Sequence, residues 1–478
     1  MKRAQAVDKA IVAAAAWLSV IAAAAALAGA GVAASYCLAV VQVFGVVWLV
    51  TLGWHQSRQW ATATVITAAA WLVMFTIPSW IYAVDRELYG VASPLSETLA
   101  LVNVGLFALI AGVVLARRGG TEPRNGPRKV VLVPERLANR RLAMWFVLGV
   151  LSLAVLFVAN GGPVNYLSNL DETERMNSGL TYLIWGILAM KFVALIVIAE
   201  RWAAGRRPGV LLAIAAAGVC LVLFAVGRAF ITIALCQLLL VFVLLRRSLP
   251  AWQVACAAAL AGLVLVFGLG AVKRYHGYQD STGRENVSFV DYAADVAIPE
   301  SVRVYATNYA DGVRLVGLAR DIVPGEAGHE FGRAFLRLAV HPVPSPLRPE
   351  VGHDPALDRL YEPQSGFSYA IPMHAMAYVQ FGWAGVVAIF AALGVLLHLV
   401  DRRLEARGAL RLSDFLALVT LAFYVPFMLR ASVPGGVVFA LLEVVGIWVV
   451  AHSSRSEFSL SSLRRPRDPG RTANSVPA

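Results

Sequence analysis

The chain has 478 residues, 59% of them hydrophobic and only 15% charged, with a mean hydropathy of +0.68. A soluble domain carries about 25% charged residues, and apolar runs of about eighteen residues or more, each long enough to cross a bilayer core, recur along this one. The formal charge of +12 is explained by arginines flanking those runs. No basic patch interleaved with aromatics argues for nucleic acid.

In chain order, Met1–Lys9 is basic and precedes an Ala-rich run. A signal peptide is one reading, and a retained first span is preferred because no clear cleavage site stands out. The hydropathy pattern predicts twelve transmembrane helices, near 10–30, 33–54, 60–83, 97–116, 142–159, 180–199, 209–226, 229–245, 251–272, 371–399, 412–429 and 433–452. The 371–399 run exceeds one crossing, so it is tilted or continues past the membrane. Cys37, Cys220, Cys236 and Cys256 all lie inside apolar runs and read as small buried hydrophobes. The expected class is an all-α polytopic membrane protein with one large external loop. Residues 1–272 carry spans one to nine, 273–370 form the loop, 371–452 carry spans ten to twelve, and 453–478 form a basic cytoplasmic tail.

Lys and Arg set the orientation. With both termini in the cytoplasm, the cytoplasmic segments hold 26 of the 41 basic residues, including Arg117, Arg118, Arg140, Arg141, Arg201, Arg246, Arg247, Arg402 and Arg403. The short external loops hold only Arg86, Arg175, Arg228 and Arg430. The large loop has 10 basic and 13 acidic residues. In it Val302, Tyr305, Tyr309, Val313 and Val316 form one helical stripe, and Phe331, Phe335 and Leu338 a second. Both stripes pack on each other or on the membrane surface. His341–Pro349 follows, with four prolines in nine residues, which forbids helix and favours an extended path.

No Walker, HExxH, CxxC, GxSxG or DxD motif occurs, so an ATP-driven pump and a recognisable metal site are not expected. The informative residues are charges where charge is costly. Arg228 and Arg430 sit in tight external turns, and Arg175, Lys273 and Arg274 reach the same layer. An always-charged planar guanidinium suits a phosphate or pyrophosphate, although each arginine also has the option of snorkelling to headgroups. His276, His329, His341, His353 and His374 are external in this topology without the spacing of a metal site. His374 opens the tenth span, where an imidazole is able to exchange a proton with a hydroxyl or simply pack. Lys191 and Glu443 lie at matching depth in spans six and twelve and are expected to pair, because an unpaired charge there is costly.

Three pieces carry a family resemblance: Gly227-Arg228-Ala229-Phe230-Ile231, the late Pro-rich loop, and His374-Ala375-Met376-Ala377-Tyr378-Val379-Gln380-Phe381-Gly382-Trp383-Ala384-Gly385. Over residues 140–450 the chain resembles the Wzy-type O-antigen polymerase, or oligosaccharide repeat unit polymerase, family. That resemblance implies a bacterial inner-membrane glycosyltransferase with a GT-C-like helical bundle. It implies an undecaprenyl-pyrophosphate-linked glycan donor and acceptor, surrounding membrane lipids, and a flippase and chain-length regulator as partners. Arg228, Arg430 and His374 would be catalytic. Arg175, Lys273, Arg274, His341, Arg348 and Tyr378 would bind substrate, with no metal or other cofactor. The chain departs from the family in placing His374 where many relatives carry an acidic residue, which leaves the proton acceptor open. Related O-antigen ligases share the plan. Alternatives are a glycosyltransferase using a lipid-monophosphate sugar, with Asp85-Arg86-Glu87 supplying its carboxylates, and a transporter or flippase.

The charge asymmetry makes the first prediction. Reporter fusions at Gly119 and Gly325 are expected to read opposite compartments, cytoplasmic and external respectively; a shared compartment would overturn the orientation.

Overall fold

The computed structural model describes residues 31–57, 62–118, 130–133, 137–159, 161–162, 181–205, 228–246, 292, 311–340, 356, 360, 371–405, 409–429 and 433–454. Among them the chain is helical, with no strand and an isolated bridge between Leu132 and Leu410. The elements are α1 (Gly31–Ser57), α2 (Ala63–Val84, with a π-helical stretch at Leu72–Thr76), α3 (Leu95–Arg118), α4 (Asn139–Ala159) and α5 (Thr181–Ala203). They continue as α6 (Arg228–Arg246), α7 (Asp311–Ile322), α8 (Arg333–Val340), α9 (Met373–Leu404), α10 (Leu412–Met428) and α11 (Val433–Ser453).

Five of these helices, α1 to α4 and α9, are long and apolar enough to cross a membrane, rather than the twelve that hydropathy predicts. The difference has three sources, one being α5, expected as the span at 180–199, which is not among the helices long and apolar enough to cross. The apolar parts of α6, α10 and α11 are shorter than a full crossing, and the spans expected at 10–30, 209–226 and 251–272 lie outside the described residues. Met144, Val147, Leu148, Leu151, Val155 and Val158 are exposed along α4, as an apolar face turned to lipid would be. Of the cysteines, Cys37 and Cys236 are half-buried free thiols rather than fully buried ones; Cys220 and Cys256 lie outside the described residues.

The connections between the described helices gather at two ends. At one end, Asp401 at the foot of α9 caps the start of α2. Its Oδ1 accepts from Ala63 N at 2.6 Å, and its Oδ2 accepts from Thr64 N at 3.1 Å and Thr64 Oγ1 at 2.6 Å. A carboxylate satisfying the free N–H groups of a helix start is an N-cap supplied from another helix. The same end holds Val133 N bonded to Leu410 O at 2.8 Å and Ala138 N to Ser454 O at 2.7 Å. At the other end, the 85–94 loop is tied to α7. Ala92 N donates to Asp321 Oδ2 at 3.1 Å, Ser93 Oγ meets both Asp321 and the Gly317 carbonyl, and Arg320 pairs with Glu97. Tyr89 donates to or accepts from Thr98 Oγ1 at 2.7 Å, and burial pushes its phenol up to about 12. Arg117, Arg118, Arg140, Arg141, Arg402, Arg403 and Arg411 belong to the first end. The Lys and Arg sorting read from the sequence therefore corresponds to a physical division of the loops.

The departure that matters most is in α9. Its 32 residues would measure about 48 Å if straight. At Gly382 the backbone takes φ 64° and ψ −153°, a region open essentially to glycine alone. The His374 and Phe390 rings, sixteen residues apart, lie 4.1 Å apart, where a straight helix would separate them by about 24 Å. The chain therefore doubles back: a short arm, 373–381, meets Gly382 and returns along a long arm, 383–404. Gly385 lets the arms touch, since a Cβ there would sit 2.6 Å from the Ala377 carbonyl. Of the two readings of the 371–399 run, tilt and continuation, neither holds: the surplus length folds back into the bundle. Met373 to Gln380 are all buried.

Gly382→Ala is expected to cost about 1–3 kcal/mol from the strained backbone, with its Cβ pressed 3.2 Å from His329 Cε1. A lowered melting temperature of the purified protein checks this; an unchanged one would mean that the reversal tolerates a side chain.

Candidate functional site

The reversal leaves the last carbonyls of the short arm without helical partners, because the N–H groups that would follow point elsewhere. A turn of the large loop supplies replacements. His329 Nδ1 contacts the Tyr378 carbonyl at 3.1 Å and the Val379 carbonyl at 3.3 Å. A carbonyl only accepts, so Nδ1 carries the hydrogen. Glu330 N donates to Val379 O at 3.2 Å and Phe331 N to Gln380 O at 3.0 Å. Side chains finish the clasp. Gln380 Nε2 donates to Glu330 Oε2 at 2.8 Å, its Oε1 accepts from Gly332 N at 2.9 Å, and Glu330 Oε1 accepts from Ala356 N at 3.0 Å. Glu330 and Gln380 are both buried. The stretch Tyr378–Gly385, read as a motif, is thus the vertex of a hairpin clamped by the loop.

His374 sits near the buried start of the short arm. It is fully buried in an aromatic box of Trp71, Phe75 and Phe390, at ring distances of 4.9, 4.6 and 4.1 Å. Trp71 and Phe75 flank and enter the π-helical stretch of α2, a distortion frequent at functional sites. Neither His374 ring nitrogen has a hydrogen-bond partner, although the Val102 backbone faces the ring, and Trp71 Nε1 is unpartnered too. Each such buried polar atom costs about 1–3 kcal/mol, so a phenylalanine would suit this box better than a histidine. In this conformation the imidazole does not face solvent.

The neighbourhood of the expected arginines is partly defined. Met373 N donates to Leu429 O at 3.3 Å, so the chain one residue before His374 touches the chain one residue before Arg430. Helix α6 starts at Arg228. Its other end lies with that of α5, since Trp202 and Phe242 rings are 5.0 Å apart. The Arg228 end of α6 therefore belongs to the same end of the bundle as the 85–94 loop. The side chain of Arg228 and the whole of Arg430, Arg175, Lys273, Arg274, His341 and Arg348 lie outside the described residues. Tyr378 is buried at the vertex, its ring against His329 and Trp383. Asp85 serves a local turn, accepting from Glu87 N at 3.2 Å, and Arg86 reaches Ser35 Oγ at 3.4 Å.

Below this layer the expected ion pair is present. Lys191 Nζ lies 2.5 Å from Glu443 Oε1, both fully buried. Sequence reading missed its surroundings: Tyr424 Oη donates to Glu443 Oε1 at 2.7 Å, and Gln237 Nε2 to Glu443 Oε2 at 3.0 Å and Thr420 Oγ1 at 3.1 Å. One carboxylate thus ties α5, α6, α10 and α11. Two of these carry the arginines: α6 begins at Arg228, and α10 ends two residues before Arg430. A lone Gln or Tyr in an apolar run carries no signal of its partner; only depth matching, which found Lys191, could have found Gln237.

Among the described residues no group of His, Cys, Asp and Glu is arranged to hold a metal. Comparison with protein families, with characterised proteins and with solved structures finds no match to this chain.

Lys191→Met, which strands the Glu443 carboxylate, is expected to destabilise the protein by about 3–5 kcal/mol. Lys191→Met with Glu443→Gln, which removes both charges, should recover much of that loss. Thermal melts of the purified variants check the order, and a double variant no better than the single one would mean that packing, not charge, is what Lys191 supplies.

Proposed function

We propose that the protein polymerises undecaprenyl-pyrophosphate-linked oligosaccharide repeat units into a surface polysaccharide, on the external face of a bacterial inner membrane. In this reading the bundle has twelve spans in a GT-C-like arrangement and both termini in the cytoplasm. The donor is a growing glycan on the lipid pyrophosphate; the acceptor is a lipid-linked repeat unit with a free sugar hydroxyl.

The observation that carries the reading is the Met373–Leu429 contact. It sets the chain beside His374 against the chain beside Arg430, inside the bundle at the level of Phe390, and this supports grouping the two with Arg228 at the start of α6. Charge grows on the pyrophosphate as the glycosidic bond breaks. Arginines held at that layer would stabilise it electrostatically without a metal. The acceptor hydroxyl must lose a proton, and His374 is the ionisable side chain of this set. Its present box would have to open for it to meet that hydroxyl. A histidine in a box better suited to phenylalanine supports a role beyond packing.

A transporter or flippase is the second reading, and the reversal at Gly382 favours it. Broken helices whose ends sit inside a bundle are common in carriers. The two readings part on the product. A polymerase variant accumulates single repeat units on the external face, whereas a flippase variant accumulates them on the cytoplasmic face.

Arg228→Lys and Arg430→Lys are each expected to abolish the polysaccharide ladder on a gel with normal protein levels in the membrane. His374→Phe is expected to keep or raise the melting temperature and to lose the ladder. Full-length ladders from both lysine variants would overturn the pyrophosphate assignment, and a full ladder from His374→Phe would leave the histidine as packing alone.

A further inference from the structure

We infer that the turn Phe331–Leu336 is a membrane-interface anchor. It would hold the large loop against the bilayer at the level of the hairpin vertex by direct contact with lipid. The argument starts from the long arm. Its exposed face runs Trp383, Val387, Val395, Leu399 and then Arg402 and Arg403, while Val386, Phe390, Leu393, Leu397 and Asp401 face the bundle. From Trp383 to Arg402 is nineteen residues, about 29 Å of helix. That is the thickness of a bilayer's hydrocarbon core, about 30 Å. With the arginines at one boundary, Trp383 falls at the other, the level at which Trp and Tyr concentrate.

The vertex therefore lies in the interfacial layer, and what protrudes there is apolar. Phe331 is 78% exposed and Leu336 62%. Phe335 stacks on the exposed Phe381, with ring centroids 6.0 Å apart, so the turn continues the lipid-facing stripe of the long arm. Phe331 is also held in a left-handed conformation, φ 44°, uncommon for a bulky side chain. Its N–H serves the Gln380 carbonyl and one edge of its ring meets His329, while the rest of the ring is exposed. The exposed Arg333 beside it has the long stem that lets a charge reach headgroups above buried aromatics. The stripe's continuity and its matched length identify the occupant as bilayer lipid.

The inference is independent of the catalytic reading. The test uses the full-length protein with Cys37, Cys220, Cys236 and Cys256 replaced by Ala. Nitroxide labels are placed through Phe331→Cys or Leu336→Cys, one at a time, in nanodiscs of phosphatidylethanolamine and phosphatidylglycerol. Val395→Cys on the long arm serves as the lipid reference and Glu87→Cys, exposed in the 85–94 loop, as the aqueous one. Collisional relaxation by oxygen, which concentrates in lipid, is compared with that by a water-soluble nickel chelate. At 331 and 336 the oxygen-to-nickel ratio is expected to exceed that at 87 several-fold and to approach that at 395. A nickel-dominated signal like that at 87 overturns the proposal. Protection from both relaxants also overturns it, since it would mean a protein cover, either residues 341–370 or a second copy of the chain. Either label position suffices, so a variant that fails to fold at 331 leaves the proposal testable at 336.

Discussion

A backbone polar group buried from water must find its partner within the protein, and at Gly382 the chain frees several at once. Ending the short arm frees the carbonyls of Tyr378, Val379 and Gln380, and each is met by the His329–Phe331 turn. That requirement organises much of the molecule. It obliges the large loop to return to the membrane bundle at one place. It buries Glu330 and Gln380 as the side-chain lock on that turn. It also explains why the reversal survives, because the hydrogen bonds lost on breaking the helix are remade by a segment forty to fifty residues earlier in sequence.

The hairpin in turn decides where chemistry can take place. Folding the short arm back places its start inside the bundle, so that His374 meets Trp71, Phe75 and Phe390 rather than the surface. Immediately beside it the end of α10 is fastened by the Met373–Leu429 hydrogen bond. The same helix is held lower down by Tyr424 on Glu443, and α6 by Gln237 on the same carboxylate. A charge hub in low dielectric is costly unless every member is satisfied. Here both carboxylate oxygens are engaged and the lysine lies against one of them, while Gln237 Oε1 is left without a partner. The two helices proposed to carry the pyrophosphate-binding arginines are thus fixed by a single buried group, the kind of support a precise site needs.

The residues divide by how they were legible. Lys and Arg sorting separated the loops that gather at the two ends of the bundle, because it is a property of composition along the chain and needs no partner. Depth matching foresaw the Lys191–Glu443 pair for a similar reason: helical rise converts sequence position into depth. Neither argument reached the Gln237, Tyr424 and Thr420 contacts, since depth narrows the partners without choosing the face. The span at 371–399 was read as too long, correctly, but tilt, overshoot and reversal all share the same hydropathy. Gly382 and Gly385 were noted only as part of a pattern, and their roles, one as the vertex and one as the point of close approach, appear only once the arms are seen to touch.

By itself the sequence determined that the described residues are helical, with helices apolar enough to cross a membrane, and that the two deep charges pair. These follow from hydropathy and helical rise, which are one-dimensional. Tertiary structure alone decided that α9 is a hairpin, that His374 faces an aromatic box, that Asp401 caps α2 from 338 residues away in sequence from Ala63, and that the loop's His329–Gly332 turn clasps the vertex. Each of these depends on which faces meet across the bundle. That choice is made by packing and by the satisfaction of buried polar groups, and no local stretch of the chain encodes it.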